Sequence, residues 1–289
     1  MSDDDQGGRP SEDEGGASDK PVGKRFPTVG IGTSAGGVHA LQMFFESLPD
    51  DVDAAFVVVV HLDPSHQSQL PNILANRTQM PVTQVSGLTP IEPRHVYVIP
   101  PNRQLRATDH HLATAEFDEP RWQRAPIDLF FRSLAVEHGD DFAIVLSGAG
   151  SDGSVGIKAI KEAGGIILVQ DPDEAEYGSM PRGAVATGLA DFVLPVREIA
   201  ARLPELIRNW RNAPSDDLTE TDGEAMQRIL SHLRVRLGHD FSSYKKATIR
   251  RRIARRMQVQ RAATMGTTSG SCRKILRRRR RFSPIFSSR

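Results

Sequence analysis

The sequence of 289 residues is poor in cysteine and in long apolar runs, and each shortage excludes a class of protein. Cys272 is its one cysteine, so no disulfide can form within the chain and nothing indicates secretion. No apolar run approaches the roughly 20 residues that a membrane-spanning helix needs. The first residues are acidic and polar, unlike a signal peptide. We therefore expect a cytoplasmic protein that does not insert into a membrane.

A net charge of +1 hides a strong separation of charge along the chain. Residues 1–20 contain seven acidic and two basic residues, whereas residues 241–289 contain sixteen lysines and arginines and no acid. Subtraction from the 36 acidic and 37 basic residues of the whole chain leaves 29 acids and 19 bases in residues 21–240. The acidic middle of the chain and its basic C-terminal part are therefore separate physical units. The run Arg277–Arg281 could attract nucleic acid, but no aromatic residues are interleaved with it, so we expect no specific nucleic-acid partner.

Composition divides the chain into five segments. Residues 1–25 have almost no apolar side chains, which predicts a disordered acidic tail. Residues 26–212 alternate strand-like and helix-like patterns and form the predicted catalytic globule, which a polar linker at 213–222 follows. Residues 223–260 carry two helical patterns, which predict a short all-α appendage, and the basic tail at 261–289 is predicted to be disordered.

The globule has the pattern of an α/β protein. The run Val57–Val60 is β-branched throughout, which is typical of a central parallel strand that is buried on both faces. Alternating strands and helices predict a doubly wound, mostly parallel sheet with helices on both faces. Residues 90–117 break this rhythm, and the segments Val96–Ile99 and Gln104–Leu112, with the turn Pro100-Pro101-Asn102 between them, predict an antiparallel hairpin insertion. The other predicted elements are strands at about 27–32, 56–60, 82–85, 142–146, 166–169 and 192–194, and helices at about 37–48, 67–76, from 126, 153–163, 184–186 and 199–210.

A glycine-rich turn containing Ser34 joins the first predicted strand to the first predicted helix. Such a turn can hold a phosphate at the helix N-terminus, or it can present a serine as a nucleophile, as in the Gly-x-Ser-x-Gly turn. Gly30, Gly32 and Ala35 have the spacing of a dinucleotide fingerprint, which expects an acidic residue at the end of the second strand. His61 occupies that position, which disfavours a nucleotide.

Three predicted parallel strands end near residues suited to nucleophilic chemistry. Ser34 follows the first strand, His61 follows the second, and Asp152 lies in the loop after the strand at 142–146. Because the carboxyl ends of parallel strands meet at one edge, we expect the three side chains to lie together. An imidazole can take the proton of a serine hydroxyl while a carboxylate orients the ring, and N–H groups at the start of the first helix can stabilise an oxyanion. The chain order Ser, His, Asp differs from that of α/β-hydrolases.

Each of these residues also has a purely structural interpretation. Ser34 and Asp152 could cap the helices that follow them, and His61 could simply end a strand. Asp63 and His66 lie close enough to His61 to suggest a metal site. No cysteine or further histidine supports one, so we expect neither a metal nor a cofactor.

Several motifs of the globule occur together in a known family. They are GTSAGG at 32–37, the strand ending in His61, VYVIPP at 96–101, IDLFFRS at 127–133, LSGAGSDG at 146–153, and QDP at 170–172 followed by MPR at 180–182. In this order they resemble the chemotaxis protein-glutamate methylesterases, the CheB-type catalytic domain. The resemblance implies a serine hydrolase that demethylates glutamate methyl esters on chemoreceptor helices, releases methanol and can deamidate receptor glutamines. It implies that Ser34 is the nucleophile, His61 the base and Asp152 the orienting acid.

The sequence departs from this family pattern at two positions near the site. Many members carry threonine after the nucleophile and methionine before the glycine of the acid loop, where this chain has Ala35 and Ala149. We expect these differences to change the rate and not the type of reaction. Residues 1–25 are too short to be the phosphoryl-receiver domain that stand-alone esterases carry, so we expect no control by an attached receiver.

The basic C-terminal part resembles a second family. FSSYKK at 241–246 and TIRRRIARRM at 248–257 are similar to the first helices of chemotaxis receptor methyltransferases of the CheR type. Only about residues 223–260 match, and the domain that would bind S-adenosylmethionine is absent from this sequence. We expect no methyltransferase activity, and the basic helix is either a docking element for acidic receptor helices or a truncated fragment.

The main alternative to an esterase is a catalytically inactive module that binds a receptor or a nucleotide. Such a module would bind its partner equally well after Ser34→Ala and would turn over no ester. The esterase hypothesis predicts methanol release that depends on Ser34.

Overall fold

A computed structural model of the chain describes residues 26–61, 68–120, 123–137 and 141–211. The predicted acidic tail, the linker, the all-α appendage and the basic tail lie outside these residues. In chain order the strands are β1 (Thr28–Thr33), β2 (Ala55–Val60), β3 (Val82–Gln84), β4 (Leu88–Pro90), β5 (His95–Val98), β6 (Gln104–Thr108), β7 (His111–Ala115), β8 (Phe142–Val145), β9 (Ile166–Gln170) and β10 (Phe192–Leu194). The helices are α1 (Gly37–Ser47), α2 (Leu70–Ala75), α3 (Pro126–Glu137), α4 (Gly156–Ala163), α5 (Ser179–Ala186) and α6 (Val196–Arg211).

The main sheet has seven strands in the order β10-β9-β8-β1-β2-β5-β3, and all its neighbouring pairs are parallel. β1 lies at its centre between β2 and β8, and every residue of these three strands is buried. This burial explains the uninterrupted apolar runs in the sequence, since a strand covered on both faces has no polar face. The predicted α/β fold with a mostly parallel sheet is confirmed.

Helices cover both faces of the sheet. A Cβ added at Gly30 of β1 would lie 3.0 Å from ring atoms of Phe130 and Phe131, so this face lies against α3. Gly30 pairs with Val57 of β2, and the adjacent Phe56 therefore points to the other face. There the ring of Phe56 packs edge-on against Phe45 of α1, with the ring centroids 5.9 Å apart. Burial of each such aromatic side chain contributes about 2 to 3 kcal/mol to folding.

The predicted antiparallel insertion is confirmed, but one of the two segments that we assigned to it belongs to the main sheet. β6 and β7 pair antiparallel and β4 adds to β7, which gives a separate three-stranded sheet. Val96–Ile99 does not belong to it, because β5 runs parallel between β2 and β3 in the main sheet. Val96, Tyr97 and Val98 are buried, the same two-sided burial that marks the central strands.

Helix ends differ from the sequence expectations by a few residues. α5 begins at Ser179, earlier than the predicted 184, and α6 begins at Val196 rather than 199. α4 begins at Gly156, three residues after the predicted start, and ends at Ala163. Gly164 caps it with the left-handed φ of 98° expected of a terminating glycine. In the part of the chain that the structure describes, no helix is long and apolar enough to cross a membrane.

Candidate active site

The structure brings the three predicted site residues together at one edge of the main sheet. Thr33 of β1 pairs with Val60 of β2, and Ser34 and His61 are the next residues after this pair. Asp152 lies in the loop that joins β8, the other neighbour of β1, to α4. The parallel arrangement of the three strands therefore sets the meeting point of these residues.

A line of two close contacts joins the three side chains. Ser34 Oγ lies 3.4 Å from His61 Nδ1, and His61 Nε2 lies 3.0 Å from Asp152 Oδ2. An ionised carboxylate only accepts hydrogen bonds, so Nε2–H donates to Asp152 and Nδ1 is left to accept from the serine hydroxyl. The ring is turned relative to the chymotrypsin arrangement, in which Nε2 faces the serine. The His61 side chain is 39% exposed and the Asp152 side chain only 8%.

The backbone around Ser34 holds its hydroxyl towards His61. The Ser34 N–H donates to the Ser147 carbonyl at 3.0 Å, and the Gly37 N–H donates to the Ser34 carbonyl at 2.9 Å. Gly36, with a φ of 70°, is the N-cap of α1, and no side chain caps this helix. The interpretation of Ser34 as a helix cap is therefore wrong.

The start of α1 offers hydrogen-bond donors next to Ser34. Among the hydrogen bonds of the described residues, none uses the N–H of Ala35 or of Gly36. The dipole of α1 also favours negative charge at this end. These two groups are therefore suited to an oxyanion that forms on a carbonyl beside Ser34.

The glycines of the dinucleotide fingerprint are not part of this turn. Gly30 and Gly32 lie within β1, and both are buried. A Cβ added to Gly32 would overlap Ile127 of α3, so the missing side chains make room for helix packing. A phosphate has no access to these positions, which removes the basis of the nucleotide alternative.

Asp152 makes more contacts than the sequence suggested. Besides His61, it accepts the N–H groups of Ile127 at 3.0 Å, Asp128 at 2.9 Å and Gly153 at 2.8 Å. Ile127 and Asp128 belong to the first turn of α3, so Asp152 caps α3 and not α4, the helix that follows it. The carboxylate is thereby fixed with Oδ2 towards His61.

Ser147 is a part of the site that the sequence analysis missed. Its hydroxyl donates to the Ala35 carbonyl at 2.9 Å and accepts the Tyr177 N–H at 3.0 Å. Its own N–H donates to Gln170 Oε1 at 2.8 Å. Ser147 therefore ties the turn after Ser34 to the segment before α5. Ser147 lies in the LSGAGSDG motif, which could have marked it as part of the site. Its hydrogen-bond partners are far away in sequence, however, so the sequence alone does not show what it contacts.

Asp128 was missed as well. Its side chain accepts the N–H groups of Val155 at 3.1 Å and Gly156 at 2.5 Å. Burial raises the pKa of the Asp128 carboxyl above its ordinary value; the Gly156 hydrogen bond opposes this rise, and the neighbouring Asp152 adds to it. A buried carboxylate beside the candidate site needs these donors to offset its lost hydration.

The described residues contain no cluster of three or more histidine, cysteine or acidic side chains suited to a metal ion. Asp63 and His66, the residues considered with His61 as a metal site, lie outside the described residues.

A doubly wound sheet that aligns a serine, a histidine and an aspartate at the ends of its strands is an architecture suited to serine hydrolases. The family model "CheB methylesterase" matches residues 29–203, and the chain belongs to this family. The predicted resemblance is thus confirmed. A second model, "CheR methyltransferase, all-alpha domain", matches residues 224–267, outside the residues that the structure describes.

Relatives and a solved structure agree with this assignment. The chain is 33% identical over 186 residues to a protein-glutamate methylesterase/protein-glutamine glutaminase of Moorella thermoacetica, a match that covers 62% of this chain and 44% of the relative. It is 34% identical over 215 residues to an uncharacterized 104.1 kDa protein from the hypE 3′ region of Rhodobacter capsulatus, with 66% of this chain and 22% of the relative covered. The chain thus spans less than half the length of these two relatives.

The crystal structure of the Thermotoga maritima CheB methylesterase catalytic domain superposes on this fold. The TM-score is 0.59 and the sequence identity 28%, and the match covers 63% of this chain and 100% of that domain.

Proposed function

We propose that this chain is a serine hydrolase that demethylates glutamate methyl esters in proteins and can deamidate glutamines. The observation that carries the proposal is the contact line from Ser34 Oγ through His61 to Asp152 in a chain of the CheB methylesterase family. Under this proposal Ser34 is the nucleophile, His61 the general base and Asp152 the group that orients His61 and stabilises its protonated form.

The first half-reaction forms an acyl-enzyme. Ser34 Oγ attacks the ester carbonyl carbon while its proton passes to His61 Nδ1, and the carbonyl oxygen becomes an oxyanion. The N–H groups of Ala35 and Gly36 stabilise this charge. The C–O bond to the methoxy group then breaks, and the leaving oxygen takes the proton from Nδ1, so that methanol departs.

The second half-reaction restores the enzyme. A water molecule gives a proton to His61 Nδ1 and attacks the acyl carbon, and the bond to Ser34 Oγ breaks as that oxygen regains the proton. A glutamate side chain is released. With a glutamine substrate the same steps release ammonia instead of methanol.

We propose methylated helices of chemoreceptor cytoplasmic domains as the substrate and partner, and residues 26–212 as the catalytic domain. The names of the family and of the Moorella thermoacetica relative support this choice.

Methanol release tests the proposal most directly. The wild type and Ser34→Ala are incubated with a receptor fragment that carries glutamate methyl esters, and methanol is measured over time. Loss of the nucleophile should lower the rate by at least about 10³-fold. Ser47→Ala, at the far end of α1, is the matched control and should hydrolyse at the wild-type rate. Undiminished turnover by Ser34→Ala would refute the mechanism, and binding of the fragment without any turnover would favour the inactive binding module.

A further inference from the structure

Two aspartates cap each other's helices beside the candidate site. Asp152, in the loop before α4, accepts the N–H groups of Ile127 and Asp128 at the start of α3. Asp128, in α3, accepts the N–H groups of Val155 and Gly156 at the start of α4. The start of α3 thus receives a carboxylate from the loop before α4, and the start of α4 receives one from α3, which is favourable both for the unpaired N–H groups and for the helix dipoles.

The two helix starts are in direct backbone contact. A Cβ added to Gly156 would lie 2.8 Å from the Asp128 Cα and 3.0 Å from the Asp128 carbonyl oxygen. The close approach lets the Asp128 carboxylate reach the first N–H groups of α4. The loop from Asp152 to Val155 is therefore held at both of its ends by the same residue of α3, through its N–H at one end and its carboxylate at the other.

We propose that Asp128 is a positioning residue that holds Asp152 in place against His61 Nε2. The inference rests on the proposed function, since it assigns a role within the same site. Asp128 contacts neither Ser34 nor His61 in the bonds above and acts only through Asp152 and its loop. Without the carboxylate, the Val155 and Gly156 N–H groups lose the one oxygen that both donate to, Asp128 Oδ1, and the Asp152 loop is free to move away from α3.

The surroundings of Asp128 allow its hydrogen bonds to be tested apart from its charge. Asp152 faces it as a like charge, and Arg132 of α3 faces it as an opposite charge. Asparagine at position 128 removes both charge interactions and keeps an oxygen for the Val155 and Gly156 N–H groups.

Two variants separate hydrogen bonding from charge. Asp128→Ala removes both, and we expect kcat to fall about 10- to 100-fold with KM within about 3-fold, since a small displacement of a catalytic group costs this much. Asp128→Asn keeps an oxygen for the Val155 and Gly156 N–H groups, and we expect kcat within about 5-fold of the wild type.

The control is Asp141→Ala, which removes another buried aspartate that accepts a backbone N–H, that of Thr28, at the opposite end of β1. It should lower stability without changing the kcat of the folded enzyme. The positioning role is refuted if Asp128→Ala keeps the wild-type kcat, or if it loses no more activity than Asp141→Ala. If Asp128→Ala does not fold, Asp128→Ser, whose hydroxyl is too short to replace the carboxylate, takes its place, and a wild-type kcat in that variant refutes the role.

NMR spectra of the His61 ring at one fixed pH keep the inference separate from the proposed function. The ring signals should shift or broaden in Asp128→Ala, because the contact between Nε2 and Asp152 loosens, and they should be unchanged in Asp141→Ala. A wild type that releases no methanol, with changed ring signals in Asp128→Ala, refutes the esterase proposal and leaves the positioning of Asp152 standing. A wild type that releases methanol, with unchanged ring signals in Asp128→Ala, refutes the positioning role alone.

Discussion

At the scale of single residues, Asp152 serves the fold and the candidate chemistry with one carboxylate. Oδ2 accepts from His61 Nε2 and from the Ile127 N–H, while Oδ1 accepts from Asp128 and Gly153. Three backbone donors fix the plane of the group before any substrate arrives. The imidazole is thus oriented by a carboxylate whose own rotation would break several hydrogen bonds.

This arrangement predicts a large effect of Asp152→Asn. The amide oxygen can replace only one of the two carboxylate oxygens. Its NH₂ group then faces either His61 Nε2 and the Ile127 N–H or the N–H groups of Asp128 and Gly153, and in both cases two donors meet and the side chain is displaced from the ring. We expect kcat for methanol release to fall about 10³- to 10⁴-fold, the size found when the aspartate of a serine protease triad is made neutral. Exposed Asp173→Asn, in the loop before α5, should hydrolyse at the wild-type rate. A variant at 152 with more than about a tenth of the wild-type kcat would contradict this role.

At the scale of elements, the site depends on how closely α3 and α4 approach. Phe130 and Phe131 of α3 pack on the glycines of β1, and Gly156 lets α4 reach the start of α3. The helices therefore do more than cover the sheet, since the position of their first turns determines the position of Asp152.

Gly156→Ala tests this close approach. Glycine to alanine in a helix is ordinarily stabilising by about 0.5 to 1 kcal/mol. Here the new Cβ would meet backbone atoms of Asp128 at 2.8 and 3.0 Å, and overpacking of this kind costs about 1 to 3 kcal/mol. We expect a net destabilisation of about 1 to 2 kcal/mol in urea unfolding, with Lys158→Ala on the exposed side of α4 as a control within about 0.5 kcal/mol. An alanine variant as stable as the wild type would show that the helices can move apart freely.

The sequence predicted the elements and strand ends well, because periodicity and burial are local signals. The apolar runs that form β1, β2 and β8 end just before Ser34, His61 and the loop of Asp152, so the ends of these runs indicated the candidate site. The sequence analysis wrongly placed β5 in the hairpin, because an apolar run predicts a strand but does not show which other strands it pairs with. Asp128 and Ser147 were missed for a related reason: the partners of Asp128 are 27 and 28 residues away, and Ala35 is 112 residues from Ser147. No spacing rule connects such positions before the fold is known.

At the scale of the whole molecule, the free energy of unfolding should depend on pH through His95 of β5. Its ring stacks on Tyr97, with centroids 4.4 Å apart, and its Nε2 lies 2.8 Å from Thr83 Oγ1. Burial lowers the pKa of His95 below its usual 6.5, and the nearby Glu92 opposes this effect only in part. A lowered pKa means that the folded state prefers the neutral ring.

The contribution of His95 to stability is therefore complete above pH 6.5 and is lost as the pH falls through the lowered pKa. We expect the wild type to lose more stability than His95→Gln between pH 7.5 and about 5, as measured by urea unfolding at several pH values. Thr83→Ala removes the hydroxyl beside the ring but keeps the ring, so it should retain the wild-type slope. Parallel curves for the wild type and His95→Gln would show that protonation of His95 does not matter to the fold.

Because the caps of α3 and α4 depend on each other, the residues of the candidate site reach their final positions in a fixed order as the chain is made and folds. During synthesis Ser34 and His61 emerge well before Asp152, and Asp152 has its place only after the first turn of α4 meets α3. On the proposed mechanism, a nascent chain that has formed its first strands carries a serine and a histidine but no anchored acid. The proposed esterase activity would therefore require the completed tertiary structure, in which α3 holds Asp152.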